Sequence, residues 1–412
     1  MTTETAILDE REGVETPYAW RRLLAALALS AIGGVGLWSA IVVLPAIQAE
    51  FGVVRASASL PYTATMMGFA FGGILMGRLA DRRGIIVPIV VGAAALTVGY
   101  LLAAQATSLW QFALCQGLII GFLGSAATFG PLVADVSHWF TRNRGIAVGI
   151  CASGNYLAGT VWPPILQHFV ASEGWRATHI GVGIFCAVSM LPLSLVLRRR
   201  TPIKHGAAPL SVLAREAGRA AMSPGVLQGL LVVAGLACCV AMSMPQVHIV
   251  AYCGDLGYGV ARGAEMLSLM LGTGVISRLA SGWVSDHIGG VPTLLLGSLL
   301  QCLTLIFYLP FDGLTSLYIV SALFGLSQGG IVPSYAMIVR EYFPPQEAGA
   351  RVGLVLMATI VGMALGGWMS GEIYDLTGSY RAAFINGIVW NLLNLGIALW
   401  LLRQPRVRTA AA

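Results

Sequence analysis

The sequence predicts an all-α integral membrane protein, with twelve transmembrane helices arranged as two parallel, pseudo-symmetric six-helix halves. Three observations predict it. The 412 residues are 57% hydrophobic and only 10% charged, far from the roughly 25% charged residues of a soluble domain. Twelve apolar stretches of about 20 residues, each long enough to cross a hydrocarbon core, take up nearly the whole chain. Turn sequences then recur between the two halves at offsets of 205, 203 and 205 residues.

The spans follow in order. The first, 21–47, carries a glycine-rich face, Trp38 and a proline end. The second, 60–79, runs into the basic turn GRLADRRG at 77–84. Spans three and four cover 86–104 and 109–135, the latter closing on Asp135. The fifth, 144–168, follows WFTRNRG at 139–145, and the sixth, 177–197, follows GWR at 174–176. The seventh, 225–252, contains His248, and the eighth, 263–284, contains Arg278 and runs into GWVSDHIGG at 282–290. The ninth covers 291–309. The tenth, 315–339, combines small residues with Pro333, which predicts a bent helix. The eleventh, 348–372, follows YFPPQEAGAR at 342–351, and the twelfth, 380–402, follows SYR at 379–381.

Matching GRLADRRG to GWVSDHIGG, WFTRNRG to YFPPQEAGAR and GWR to SYR makes the halves six-helix copies running in the same sense. The expected organisation is an N-terminal tail at 1–20, a first bundle at 21–197, a connector at 198–222, a second bundle at 223–403 and a tail at 404–412. The tail 1–20 is polar and acidic with no apolar core or small-residue cleavage site, so the first helix is expected to be retained.

The net charge of +6 reflects topology rather than a polyanion site. Arg21, Arg22, Arg78, Arg82, Arg83, Arg142, Arg144, Arg198, Arg199, Arg200, Lys204, Arg215, Arg219, Arg340, Arg351, Arg403, Arg406 and Arg408 all fall on one side, whereas Arg55, Arg176, Arg262 and Arg381 fall on the other. The positive-inside rule then places both termini in the cytoplasm, with the protein in the cell's inner (plasma) membrane and no nucleic-acid partner. The seven cysteines show no CxxC spacing, and the six histidines no HxxxH or HExxH spacing. Neither a metal nor a cofactor is expected.

The segment WFTRNRGIAVGICASGNYLAGTVWPPILQHFVASEGWR (139–176) combines an aromatic-Phe pair, a basic turn, RGxAxG, a glycine-rich stretch and a closing GWR. It is similar to the fifth-helix signature of the monocarboxylate porter family within the major facilitator superfamily. PQVHIVAYCGDLGYGVARGAEMLSLMLGTGVISRLASGWVSD (245–286) resembles the seventh and eighth helices of its bacterial members. The superfamily resemblance covers essentially the whole chain. It implies a monomeric secondary transporter in the lipid bilayer, with a substrate site near the midplane between the halves and alternating access.

Arg278 is read as the only basic side chain buried inside an apolar run. A guanidinium at mid-membrane depth costs roughly 2.5–3.5 kcal/mol on the lenient insertion scale, so a polar cavity and an anionic partner are expected. A planar guanidinium takes a carboxylate in a bidentate pair, and the resemblance places a substrate-binding arginine at this position. The competing reading is a salt bridge to Asp135 or another carboxylate of the protein.

Departures from the family pattern bear on coupling. Gly274 stands where animal members carry an acidic residue, and the stretch 36–45 lacks their helix-one lysine. The second basic residue that oxalate/formate antiporters carry in helix eleven has no counterpart in 352–371. A dicarboxylate held by two cations is therefore disfavoured. Asp135 and His248 are the proton-coupling candidates, with a hydrogen-bonded structural His248 as the alternative. Proton symport itself is implied by the resemblance.

Polar or aromatic residues that interrupt apolar runs define the remaining cavity candidates: Tyr62, Asn155, Tyr156, Gln328, Tyr335, Asn391 and Asn394. The bland reading is that such groups satisfy one another across helix interfaces. Tyr335 is the first choice, on the expectation that the bent tenth helix brings its hydroxyl toward the cavity. For gating, the resemblance pairs Asp81, beside Arg82, with the start of helix eleven near Arg351, and Asp286 with the start of helix five near Arg142 or Arg144. Purely topological anchoring is the alternative.

A small monocarboxylate of the lactate or pyruvate kind, moved with protons, is the reading carried forward. An aromatic or other organic anion, or an antiporting exporter, remains the alternative, although helix five lacks the GP-then-GG pattern of exporters. An enzyme or sensor is disfavoured by the lack of convergent acids, bases or metal ligands and of room for a soluble output domain.

Overall fold

In the computed structural model, residues 15–140, 142–199, 223–343 and 345–404 are described. The connector beyond 199, most of the N-terminal tail and the C-terminal tail beyond 404 lie outside the described residues. Ten helical stretches are long and apolar enough to span a membrane. One of them, Ile146–Leu195, is broken at Gly174 into two arms, and with the further helix Arg55–Arg83 the described residues hold twelve such helices.

The helices are α1 (Pro17–Phe51), α2 (Arg55–Arg83), α3 (Ile86–Ala103), α4 (Leu109–Ser137), α5 (146–173), α6 (175–195), α7 (Pro224–Asp255), α8 (Val260–Ile288), α9 (Gly290–Phe307), α10 (Leu314–Tyr342), α11 (Pro345–Thr377) and α12 (Tyr380–Arg403). Thr16 starts α1 and Ser223 starts α7, each accepting a backbone N–H with a proline just inside the helix. Ser108 and Ser379 cap α4 and α12 in the same way.

Contacts divide the chain into two compact units, Met1–Val53 with Leu60–Ala207, and Val54–Ser59 with Ala208–Ala412. The first turn of α2 therefore belongs with the second unit. Turns fall at matched glycines in the two copies. Gly52 and Gly257, Gly84 and Gly289, and Gly174 and Gly378 all have positive φ, between 60° and 88°. Only glycine adopts that backbone without a Cβ penalty, so the turn chemistry repeats with the sequence.

Helix pairing repeats too. In the first unit α1 packs on α5, α2 on α4 and α3 on α6; in the second α7 packs on α11, α8 on α10 and α9 on α12. The α2/α4 and α8/α10 contacts bring backbones together. A Cβ at Gly68 or Gly72 would stand 2.0 Å from a carbonyl of α4, and one at Gly325 would stand 2.0 Å from the Met270 carbonyl of α8. Small residues give such close approach in lipid, where van der Waals packing rather than water exclusion drives association. α4 widens into a π-helical stretch over Cys115–Gly124 where it meets α2, and α10 is interrupted at Gly329–Gly330.

Large apolar side chains on the outer faces remain exposed, among them Val98, Val188, Leu299 and Val389. Lipid as the outer solvent accounts for them.

Candidate functional site

Arg278 sits in the membrane-spanning part of α8 and is half-buried. The close α8/α10 crossing positions it: its Nε donates to the Gly329 carbonyl at 3.5 Å, and the same glycine packs on Gly274 and on the Arg278 backbone. The helix interruption at Gly329–Gly330 leaves that carbonyl outside the α10 ladder and available to the guanidinium.

Tyr335 lies five residues past that interruption and is fully buried. Its hydroxyl donates to Asn394 Oδ1 at 2.8 Å, and Asn394 Nδ2 donates to Ser298 Oγ at 2.7 Å. Asn391 Nδ2 donates to the Ser298 carbonyl at 2.8 Å. Tyr335, Asn391 and Asn394 form one polar network joining α9, α10 and α12. Gln328 is likewise buried, accepting from Gln246 Nε2 of α7 at 2.6 Å.

In the first unit, Tyr62 and Tyr156 are buried on α2 and α5. Asn155 is half-buried, and its carbonyl accepts from Trp38 Nε1 at 3.2 Å. Its Oδ1 is buried without a hydrogen-bond donor among the described residues. A cavity of about 370 Å³ between α5 and α6 is lined by Trp162, Leu166, Phe169, Val182 and Phe185, with Glu173 at its edge. Its apolar walls offer nothing to an anion.

Asp135 is engaged inside the first unit. It is bound by Arg22 of α1, whose Nε and Nη2 donate to the two carboxylate oxygens at 2.8 Å each. Arg22 is 1% exposed, stacks over Trp139 at 4.5 Å, and donates from Nη1 to the Tyr18 hydroxyl and the Arg199 carbonyl. The reading of Arg278 as the only basic side chain buried inside an apolar run is corrected by Arg22, which lies in the first run; Arg55, outside the runs, is buried as well. Both stand at helix ends, where charge counting treats arginines as topological anchors. Arg22 already lay inside the first apolar run, which was the available signal.

His248 is fully buried on α7. Its Nε2 faces the Gly367 carbonyl of α11 at 2.8 Å, and its Nδ1 faces the Tyr380 hydroxyl at 3.4 Å. Among the gating candidates, Asp81 and Arg82 are exposed at the end of α2. Arg351 is held within its own helix by Glu347 at 2.7 Å and lies over Phe343. The side chains of Asp286 and Arg144 lie outside the described residues.

The Major Facilitator Superfamily model matches residues 26–316 and 266–412. The chain belongs to the major facilitator superfamily. It is 28% identical to monocarboxylate transporter 13 of Bos taurus over 340 residues, covering 80% of this chain and 77% of that protein. It is 30% identical to monocarboxylate transporter 11 of Mus musculus over 328 residues, covering 74% and 70%. Among solved structures, a bacterial homologue of the human lysosomal transporter Spinster aligns with a TM-score of 0.73 at 15% identity, over 97% of this chain and 100% of that one. That likeness shows the fold. The protein is a multi-pass membrane transporter of this superfamily, resembling the monocarboxylate porters within it.

Proposed function

We propose that this transporter carries a small monocarboxylate of the lactate or pyruvate kind by proton symport with alternating access, and that Arg278 holds the substrate carboxylate. The observation that carries the reading is a half-buried guanidinium within a membrane-spanning helix, fixed through Nε at the α8/α10 crossing. Relatives called monocarboxylate transporters support the substrate class. A carboxylate is the ligand that a planar guanidinium engages with two parallel hydrogen bonds. Desolvating the cation in lipid is unfavourable, so an anionic ligand gains more there than in water.

The test is uptake of labelled L-lactate into proteoliposomes with and without an inward proton gradient, competed by short-chain and aromatic acids. Gradient-stimulated uptake that is lost in Arg278→Gln is the expected result. Folded wild-type protein that neither takes up lactate nor is competed by any carboxylate would overturn it.

A further inference from the structure

The groove between α5 and α6 lies wholly within the first unit, and the proposed function does not use it. Gly174, with a φ of 82°, turns the chain from one arm to the other. On α6, Ala177 and Gly181 fall one turn apart on the face toward the groove, and a Cβ at Gly181 would meet nothing within 4 Å. These small residues leave a space framed by Ile165, Phe169 and Phe185, all of them exposed. Thr178, also in the lining, turns its hydroxyl to the Gly174 carbonyl at 2.8 Å and so offers the groove no unsatisfied polar atom.

Trp162 closes the inner end. Its ring meets Phe185 edge-on at 5.5 Å, and its Nε1 donates to the Ala31 carbonyl of α1 at 2.9 Å. From Trp162 to Glu173 the helix rises about 16 Å, half of the roughly 30 Å hydrocarbon core. The groove therefore has the depth of one leaflet. Its volume of about 370 Å³ is more than twice the roughly 150 Å³ of an apolar cavity that takes up benzene.

Glu173 stands at the other end. It is the last residue of α5, where the helix dipole places partial negative charge and a carboxylate is unfavourable. No described residue forms an ion pair or hydrogen bond with its side chain. Arg176, three residues on, is held by Glu50 and the Ala106 carbonyl and stacks on Trp175. A cation at the mouth of the groove would therefore offset both the carboxylate and the helix end.

Charge and shape together select the occupant. An apolar tail one leaflet deep, with a cationic group at its head, is a membrane lipid. A primary ammonium donates hydrogen bonds to a carboxylate, whereas a quaternary ammonium has no N–H to donate. At the offset of 205 residues, Glu173 corresponds to Gly378 and Gly181 to Asn386. The carboxylate and the bare helix face thus belong to one copy and are not by-products of the repeat.

We propose that the α5/α6 groove is a lipid site, which seats an acyl chain of a phospholipid with a primary ammonium headgroup and pairs that ammonium with Glu173.

The test is native mass spectrometry of the full-length protein, with phosphatidylethanolamine or phosphatidylcholine of the same acyl chains added to the micelles. Wild type should retain one ethanolamine lipid in preference to the choline lipid, by about two- to fivefold, the range that an exposed ion pair delivers. Glu173→Gln should retain the two equally. Gly181→Leu puts a side chain into the open space and should lower retention of both, with an unfolding midpoint no lower than that of wild type, because leucine is the better helix former. Equal retention of the two lipids by wild type would overturn the proposal. So would a preference that survives Glu173→Gln, or retention undiminished in Gly181→Leu. A dimer mass that Gly181→Leu abolishes would overturn it too, since the occupant would then be a second copy of the chain.

Discussion

Arg22 and Asp135, 113 residues apart, meet in a two-pronged ion pair with both N–O distances at 2.8 Å and almost no solvent contact. The pair ties the start of α1 to the end of α4 inside the first unit. Removing one partner strands the other as a buried charge, which costs roughly 3–5 kcal/mol. Asp135→Asn and Arg22→Met should therefore each lower the thermal unfolding midpoint sharply in detergent. The double variant Arg22→Met with Asp135→Leu should recover most of the loss.

For the proposed carboxylate anchor, Arg278→Lys retains the charge but not the fork. Its apparent lactate affinity should fall by at least about tenfold, corresponding to roughly 1.4 kcal/mol. Arg278→Gln should abolish specific uptake. Both follow from concentration-dependent uptake in proteoliposomes, and full affinity in Arg278→Lys would rule out bidentate binding.

Gly329 positions that arginine. A Cβ there would stand 2.3 Å from the Gly274 carbonyl and 2.8 Å from the Arg278 backbone nitrogen. Gly329→Ala should force α8 and α10 apart, costing about 1–3 kcal/mol of stability and reducing uptake. Gly282→Ala, on the same α8 but facing open space, is the control and should leave both intact.

Tyr335→Phe separates an interface role from a substrate role. Losing the hydroxyl leaves Asn394 Oδ1 without its donor, with a cost of about 1–3 kcal/mol. Unfolding should shift to lower temperature while the KM for uptake stays within about twofold of wild type, well under the tenfold that 1.4 kcal/mol represents. A large KM change at unchanged stability would return Tyr335 to the substrate site.

Much of the architecture was legible before any coordinates. Helix length follows from hydropathy, and the left-handed glycines fall at matched places in the repeat, as Gly84 and Gly289 show. The polar partnerships were not legible. Tyr335 looked like a cavity residue because a phenol interrupting an apolar run is unusual, yet its neighbour is Asn394, 59 residues away. Arg55 looked like a surface charge, yet its partners are 200 to 325 residues distant.

The sequence by itself determined the twelve spans, the two-copy plan and the family, because span length, turn chemistry and internal repetition are local properties. The tertiary structure decided which face of each helix meets which neighbour. In a water-soluble helix the apolar stripe announces the buried face, whereas these helices are apolar all round and carry no such stripe. Rotation about each axis is then set by glycine contacts and by a few buried hydrogen bonds. Those are the terms that placed Arg22 on Asp135, Arg278 against Gly329 and Arg55 beside Tyr380.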